Sequence, residues 1–383
     1  MPAGRRWDVA VVGSGIVGLA HAAAASRRGL SVVVIDRSPE ILGATVRNFG
    51  HICLTGQSGT ALEYGARSRE LWLQLAEQAG FWLRESGTVV VAQARDELDM
   101  LGEFRDLRGE ESAVLLNVDE VRERVPVADG VAVGGAWLPK DLQVDPRAAA
   151  AAIRAWLGSQ GVEFLVSANV LGVGSGTVHT AHGDVSADTV IVAVNYDVDG
   201  LFPELAERTG IVRCGLDMML VDADLRAPLS APLFTGWSLV RYSGFAATES
   251  VSRVRERLAA DAPDLHALDL NQMYTQRPDG SLVIGDTHYR GTSITPFQNE
   301  DAFVSLLELA RVLFGLGRGQ LRVRERWQGV YASAPEDFLV ASPADGVRVV
   351  SVTTGIGMTT GLALGESVIA SLYASAPEPV VAA

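Results

Sequence analysis

The hydrophobic pattern is clearest at the start of the chain. Val9–Val12 is a continuous apolar run that passes into a glycine-rich segment and then into small and apolar residues. This order predicts a buried strand, a glycine turn and a helix from about Ile16 to Arg28, which Gly29 ends. A second apolar run, Ser31–Ile35, predicts the next strand. Together they predict a βαβ unit at the N-terminus.

The rest of the chain alternates between helical and extended patterns. The predicted helices are Ala61–Gly80, Asp96–Leu107, Val118–Arg124, Arg147–Gln160, Asn299–Gly315 and Leu362–Tyr373. The predicted strands are Thr88–Ala92, Glu163–Val166, Thr189–Val194, Met218–Val221, Leu239–Tyr242, Gln272–Arg277, Leu282–Ile284 and Gly346–Val352, and a hairpin is predicted for 176–187.

These patterns predict an α/β fold (α+β overall) with two domains. The fully apolar run Thr189–Val194 is typical of the centre of a parallel sheet, so it belongs with the N-terminal βαβ unit. The more amphipathic strands between 212 and 316 indicate an antiparallel sheet. We therefore expect a discontinuous Rossmann-like domain with a central parallel sheet, residues 1–87, 141–209 and 321–383. A smaller substrate domain with an antiparallel sheet takes residues 88–140 and 210–320.

The composition narrows the possible partners. The chain has 383 residues and a net charge of −14, which disfavours nucleic acid and anionic membranes as partners. Two cysteines do not form a disulfide framework. A secretory leader and a membrane span are not evident, so we expect a cytoplasmic protein. The segment after Ala374 is expected to be a frayed end.

The N-terminal glycine turn carries a recognisable chemistry. Gly13, Gly15 and Gly18 form the pattern Gly-x-Gly-x-x-Gly, and Asp36 follows at the end of the second strand. In a dinucleotide-binding unit these glycines permit a tight turn, close approach to a pyrophosphate and close helix packing, while the acid binds a ribose. The alternative is a glycine turn in an ordinary βαβ unit.

Two further segments are rich in small residues. Gly43–His51 could lie against a flat cofactor and offer it backbone amides, or it could be a surface loop. Thr353–Gly361 is a second glycine turn, placed between the last strand and the last helix. A helix that begins there can face a second electron-rich group.

At this point the chain resembles the D-amino-acid oxidase (DAO) family of FAD-dependent oxidoreductases, which includes glycine and sarcosine oxidases. Four blocks stand in the family's order: the N-terminal fingerprint with Asp36, then Thr189–Asn195, Gln276–Asp286 and Thr353–Glu366. Trp327–Tyr331 also matches the Trp-x-Gly segment of the family.

The resemblance implies an FAD site built from both ends of the chain. The implied cofactor-binding residues are Gly13, Ser14, Gly15, Ile16, Val17, Gly18, Asp36, Arg37, Arg47, Asn48, Phe49, Val170, Asn195, Gly355, Ile356, Gly357, Met358 and Thr359. The N-terminal turn would hold the pyrophosphate, and the C-terminal turn would approach the isoalloxazine ring.

Two finer expectations follow from the resemblance. The segments Arg47–Gly50 and Thr55–Gln57 are similar to a bacterial branch often linked to phosphonate catabolism. Cys53, Cys214 and His51 do not occupy the positions at which covalent-flavin relatives attach the ring, so we expect non-covalent FAD.

Amine oxidation by a flavin requires few protein acids, because the α-hydrogen leaves as a hydride to flavin N5 and the imine hydrolyses in water. The expected substrate is a small anionic amine. The preferred candidate is an aminophosphonate, with or without an N-methyl group, and the alternative is a glycine- or sarcosine-like amino acid. Oxygen or another acceptor would take the electrons. The candidate catalytic residues are Arg47, Tyr331 and His288, and the candidate substrate-binding residues are Arg241, Tyr242 and Arg290.

Other functions remain open at this stage. They are an NAD-dependent dehydrogenase, a flavin monooxygenase, to whose motif Gly285-Asp286 is similar, and a nucleotide-binding protein without turnover. No metal site is expected. The sequence leaves open the substrate, the choice between oxidase and dehydrogenase, and the oligomeric state.

Overall fold

The first apolar run and its glycine turn form a strand and a helix, as predicted. The computed structural model describes residues 5–374, and the expected frayed end after Ala374 lies outside them. The α-helices of this range are α1 Ile16–Ser26, α2 Gly59–Ala79, α3 Arg95–Arg108, α4 Val118–Arg124, α5 Pro146–Ser159, α6 Val198–Leu201, α7 Pro203–Thr209, α8 Gly236–Leu239, α9 Val251–Asp261, α10 Pro263–Ala267, α11 Glu300–Phe314 and α12 Gly357–Leu372.

The strands of residues 5–374 are β1 Arg6–Val12, β2 Val32–Ile35, β3 His51–Ile52, β4 Leu83–Arg84, β5 Thr88–Ala92, β6 Val114–Leu116, β7 Gly134–Leu138, β8 Leu142–Val144, β9 Glu163–Leu165, β10 Val170–Gly174, β11 Thr177–Thr180, β12 Gly183–Val192, β13 Val212–Ala223, β14 Leu233–Phe234, β15 Met273–Gln276, β16 Leu282–Gly285, β17 Tyr289–Gly291, β18 Leu321–Ala341 and β19 Val347–Thr354. Short 3₁₀ turns lie at Ala44–Val46, Asn195–Asp197 and Arg318–Gln320.

A parallel sheet contains the N-terminal βαβ unit. Its strand order is β9-β2-β1-β12-β19, and each neighbouring pair is parallel. β1 and β2 are almost wholly buried, which explains why their sequences are continuous apolar runs. Helices α1 and α12 pack against each other beside this sheet, and α2 packs on α12.

The sheet continues through β18 into a second, mainly antiparallel part. β18 pairs with β19 on one side and with β13 on the other. From β13 the order continues as β16-β15-β14-β5-β7-β6, in which the β14–β5 pair alone is parallel. A separate small antiparallel sheet has the order β3-β8-β4. The mixed α/β fold with these two kinds of sheet is therefore confirmed, whereas the residue boundaries of the two domains stay a prediction.

The structure corrects one predicted strand. Leu239–Tyr242 begins in helix α8 and continues as a turn, because Leu239 N–H donates to Thr235 O and Arg241 N–H donates to Ser238 O. The buried Ser238 hydroxyl also donates to Gln272 O. An apolar segment of this length fits either period, so the sequence could not separate a short helix from a strand.

Two other boundaries differ from the prediction. The hairpin strand and the apolar run Thr189–Val194 are one strand, β12, which pairs with β11 in its first half and with β1 in its second. Helix α12 begins at Gly357 and so includes the end of the second glycine turn. Within residues 5–374, no helix combines the length and the apolar character that a membrane span requires.

We predict that Gly365→Ala destabilises the protein. A Cβ at Gly365 would lie 2.8 Å from the backbone carbonyl carbon of Ala20, so α12 and α1 would have to separate. The expected loss in free energy of unfolding is about 1–3 kcal/mol, measured by urea unfolding at a fixed FAD concentration.

The control is Gly102→Ala in helix α3, where a Cβ meets no atom within 4 Å. This variant should be unchanged or gain about 0.5–1 kcal/mol from helix propensity. Equal stability of the two variants would contradict the assigned helix contact.

Candidate functional site

One large cavity of about 840 Å³ contains nearly all the residues that the sequence singled out. Its volume lies within the roughly 300–1,000 Å³ that small-molecule and cofactor sites occupy. The predicted site residues that line it are Gly13, Ser14, Gly15, Ile16, Val17, Asp36, Arg37, Arg47, Asn48, Phe49, Val170, Asn195, Arg241, Tyr242, His288, Tyr331, Gly355, Ile356, Gly357, Met358 and Thr359. Gly18 and Arg290 do not line it.

The first glycine turn is as tight as its sequence requires. Gly13 has φ +104°, and a Cβ there would lie 2.4 Å from Ala193 O. Gly18 faces the turn rather than the cavity, since a Cβ at Gly18 would lie 1.9 Å from Gly13 O. Its absence from the cavity wall therefore agrees with a packing role, in which it lets α1 approach β1.

Two helices begin at the cavity wall. Gly15 precedes α1 and Ile356 precedes α12, and neither of these N-cap residues caps its helix with its own side chain, although Thr45 Oγ1 accepts the Ile16 N–H of α1. The first N–H groups of a helix lack intrahelical acceptors, and the helix dipole makes this end positive. The N-termini of α1 and α12 can therefore each bind an electron-rich group of an elongated ligand such as a dinucleotide.

The acid after β2 holds the first turn in shape. Asp36 Oδ2 accepts hydrogen bonds from the Ser14 N–H and from the Ser14 hydroxyl, both at 2.7 Å. Asp36 Oδ1 accepts from Ser38 N–H at 2.9 Å. Arg37 forms an ion pair with Asp197 at 2.8 Å. The predicted contact between Asp36 and a ribose stays a prediction.

Asn195 lies where the parallel sheet meets β18. It has a positive φ of 59°, and its Oδ1 accepts the Ala332 N–H at 2.7 Å. This bond fixes the cavity wall next to Tyr331. Val170 begins strand β10 on the far side of the cavity.

The segment 43–51 runs along the cavity rather than over the outer surface. Thr45 Oγ1 accepts the Ile16 N–H at 2.8 Å, so the segment is tied to the start of α1. The Asn48 amide donates to the carbonyls of Ala44 and Thr45, which fixes the turn internally. Arg47 Nη1 donates to Gln328 O at 3.2 Å on β18. Phe49 is buried.

The second glycine turn packs against Tyr331. Gly355 has φ +80°, and a Cβ there would lie 3.1 Å from Tyr331 Cζ. Thr359 Oγ1 accepts the Cys53 N–H at 3.1 Å, and Met358 O accepts the Trp72 indole N–H at 2.8 Å. Burial, together with nearby Cys214, raises the pKa of Tyr331 well above its usual range, so the phenol stays protonated.

Two arginines share one carboxylate at the other end of the cavity. Arg241 Nη1 donates to the Asp269 carboxylate and, at 2.9 Å, to Asp269 O. Arg290 Nη1 donates to Asp269 Oδ2 at 2.7 Å, although it does not line the cavity. Burial raises the pKa of Asp269, but Arg241 and Arg290 together hold it below its usual value. Together, the two arginines and the carboxylate of Asp269 carry a net positive charge.

Tyr242, His288 and Asp286 complete this end. Tyr242 is stacked on Phe234 with ring centroids 5.0 Å apart. His288 lies edge-on to Tyr331, with ring centroids 6.4 Å apart, so Tyr331 stands between it and the second glycine turn. Asp286 also lines the cavity, and burial raises its pKa to about 7 although Arg241 favours its charged form.

Sequence reasoning missed several residues of the cavity wall. Asp286 had a signal, because it follows an apolar strand and stood in a quoted motif, but no role was given to it. Asn271 and Met273 had none, since their position depends on the pairing of β15 with β16. His51 and Cys53 line the cavity too.

His51, Cys53 and Asp141 lie close enough together to offer ligands to one metal ion. Hydrogen bonds already engage two of them: His51 Nε2 contacts Thr88 Oγ1 at 2.6 Å, and the Thr88 hydroxyl donates to Asp141 Oδ2 at 2.7 Å. The Thr55 N–H donates to Asp141 Oδ1 at 2.9 Å. We interpret this cluster as structural support for strand β3.

Two solved structures of similar fold are named as a glycine oxidase and a proline dehydrogenase. Glycine oxidase from Bacillus cereus ATCC 14579 superimposes with a TM-score of 0.79 at 18% identity, covering 97% of this chain and 96% of that one. L-proline dehydrogenase from P. horikoshii has a TM-score of 0.78 at 18% identity, covering 98% and 96%. At this identity the likeness establishes the fold.

Sequence comparison gives the family. D-amino acid dehydrogenase from Helicobacter pylori (strain J99 / ATCC 700824) is 23% identical over 261 residues, which span 53% of this chain and 62% of that protein. The sequence model of the DAO family, described as FAD dependent oxidoreductase, matches residues 8–371. The chain therefore belongs to the DAO family of FAD-dependent oxidoreductases.

Proposed function

We propose that this protein uses FAD to oxidise a small amine that carries an anionic group. The observation that carries the proposal is the net positive charge of Arg241, Arg290 and Asp269 at the end of the cavity that Arg241 lines. Arg241 lines the cavity, and it shares Asp269 with Arg290, so two guanidinium groups face one carboxylate. A guanidinium that is only partly neutralised at a cavity wall is a strong anchor for a carboxylate or phosphonate.

The remainder of the cavity fits the cofactor of the family. We propose that the Gly13–Val17 turn holds the FAD pyrophosphate at the start of α1 and that Asp36 holds the adenosine ribose. Arg47, Asn48 and Phe49, together with the Gly355–Thr359 segment, would adjoin the flavin ring. FAD supplies the acceptor for the hydride that leaves the substrate α-carbon.

The protein's own groups would position the amine. Arg241 would bind the anion, and the stacked Tyr242 would limit the space beside it. Tyr331 lies between the second glycine turn and His288, so it would separate the redox end of the cavity from the anion end. Fixed orientation of the α-carbon is the main contribution a protein makes to such a reaction.

An aminophosphonate, with or without an N-methyl group, is the preferred substrate. It is supported by the resemblance of Arg47–Gly50 and Thr55–Gln57 to the phosphonate-linked branch, and Arg47, Phe49 and Gln57 all line the cavity. A glycine- or sarcosine-like amino acid is the alternative, which the names of the similar enzymes support. Oxygen or another acceptor would reoxidise the flavin, and we propose a cytoplasmic location.

We predict that the FAD is bound non-covalently. Acid precipitation of the purified yellow protein should release the flavin into the supernatant, where its absorbance near 450 nm is measured. A yellow pellet would contradict the prediction and would direct attention to Cys53 and His51, which line the cavity.

We predict that an anionic amine reduces the bound flavin. The experiment is anaerobic mixing with a panel of aminophosphonates, their N-methyl derivatives and small amino acids, followed by loss of the flavin band. Oxygen uptake with the best substrate then separates an oxidase from a dehydrogenase. If no member of the panel bleaches the flavin, the protein is not an oxidase or dehydrogenase of this class, and a flavoprotein without amine turnover or a monooxygenase becomes the better reading.

We predict that Arg241→Met lowers kcat/KM roughly 10- to 150-fold, the loss of one hydrogen bond to a charged group. The fall should come mainly through KM, because the anion is bound equally before and during the reaction. Arg290→Met is the matched control, since this arginine contacts the same Asp269 outside the cavity. Its effect should stay below about fivefold, as for an exposed ion pair. Equal losses in the two variants would argue against Arg241 as the anchor.

A further inference from the structure

Two buried acceptor atoms beside the anion anchor lack hydrogen-bond donors. Asp286 Oδ1 and Asn271 Oδ1 have no partner among the described residues, although each residue is only 5% exposed. Both residues line the cavity. Their backbones exchange two hydrogen bonds of 2.8 Å, which hold the side chains next to each other. Buried acceptors of this kind normally have a donor, so a ligand is the natural source of one.

His288 adds a third acceptor. Its Nδ1 lies 2.9 Å from Asp269 O, and a carbonyl oxygen can only accept, so Nδ1 carries the proton. Burial and Arg241 lower the pKa of His288 well below its usual value, so the ring is neutral. Its Nε2 therefore presents a lone pair, and it lies 3.7 Å from Asp286 Oδ2. When Asp286 is ionised, these two atoms repel each other unless a donor lies between them.

An ammonium group supplies such donors and a positive charge. We infer that Asp286, Asn271 and His288 form the amine subsite of the substrate, and that Asp286 takes the proton of the substrate ammonium. The inference rests on the proposed function, because it requires an amine in this cavity. Arg241 would hold the anionic group at the same time, so one end of the cavity carries separate subsites for the two charges of a zwitterion.

The proposed step is a proton transfer. The N–H bond of the ammonium breaks, its electron pair stays on nitrogen, and the proton forms an O–H bond with the Asp286 carboxylate. The amine becomes neutral and its lone pair becomes available, which the loss of a hydride from the adjacent carbon requires. No additional oxidant or reductant takes part in this step.

Asp286 is the group at this site that titrates near neutral pH. The titratable or charged groups around it are Arg241, Arg290, Asp269, His288, Tyr242, Tyr331 and Cys214. Burial raises the pKa values of both tyrosines and of Cys214. The pKa values of Asp269 and His288 are lowered. Burial raises the pKa of Asp286 to about 7, so its base form is present above that pH.

The test compares the pH dependence of kcat/KM in the wild type and in Asp286→Asn. The wild-type value should rise through pH about 7, where Asp286 ionises, and fall above the pKa of the free amine. Without Asp286 the enzyme must use the neutral amine from solution. In the variant the rise of kcat/KM near pH 7 should therefore vanish. The value of kcat/KM should fall about 10²–10⁴-fold at pH 7 and recover as the pH approaches the pKa of the amine.

His288→Asn is the matched control for the rise of kcat/KM near pH 7. It removes a neighbouring acceptor but leaves the carboxylate, so this rise should remain even if KM increases. An Asp286→Asn profile that keeps the wild-type shape overturns the inference while leaving the proposed function intact. Failure of every anionic amine to bleach the flavin overturns the proposed function instead.

A binding experiment on the wild type tests the subsite without turnover or a variant. The probe is 2-aminoisobutyrate, which has no hydrogen on the carbon that bears the amine. Its binding, followed by the flavin spectrum, should tighten up to tenfold per pH unit as the pH rises toward about 7. Isobutyrate, which lacks the amine and whose carboxylate stays ionised near neutral pH, should not show this increase. Equal pH dependence of the two ligands, or no binding by the amine, overturns the inference.

Discussion

The close approach of helices and strands at glycines determines where the cavity lies. Gly18 lets α1 lie against the Gly13 turn, and Gly365 lets α12 lie against α1 at Ala20. The two helices therefore begin near the same space, and each brings unpaired N–H groups to it. Side chains at these glycines would push the helices apart. The ability to bind a long ligand with two electron-rich groups thus depends on the absence of a few methyl groups.

The anion end of the cavity follows a different physical rule. Its charges lie in a buried environment, where each must be balanced by a neighbour or change its protonation state. Asp269 is balanced by two arginines and stays ionised, whereas Asp286 is left without enough donors and is neutral over part of the pH range. The two neighbouring carboxyl groups therefore differ in protonation state over part of the pH range. Unequal environments of paired titratable groups are the usual basis for assigning different chemical tasks to them.

The sequence predicted the glycine turns and the parallel sheet well. It predicted poorly how the residues around Arg241 and Asp286 come together. Glycine turns carry a local signal, since Gly13 and Gly355 need positive φ values that other residues rarely adopt. Long apolar runs such as Thr189–Val194 likewise indicate their position in a parallel sheet. By contrast, Asn271 and Asp286 meet through strand pairing between segments 15 residues or so apart, and the sequence pattern of Leu239–Tyr242 fits a helix as well as a strand.

The candidate substrate residues show the same limit. Arg241 and Arg290 look alike in the sequence, yet one lines the cavity and the other supports it from outside. Distinguishing them requires the direction of each side chain, which depends on the register of β17 against β13 for Arg290 and on the turn after α8 for Arg241. Asp269, which pairs with both, has no sequence signal because a single aspartate in a turn is common.

The length of β18 bears on how the two parts of the sheet can move. This strand spans Leu321–Ala341 without a break and pairs with β13 and then with β19, so it belongs to both parts of the sheet. A hinge rotation of one part against the other would bend it and break its pairing. The two parts of the sheet are therefore coupled through one strand, and a hinge motion between them would cost the pairing of β18 with β13 or with β19.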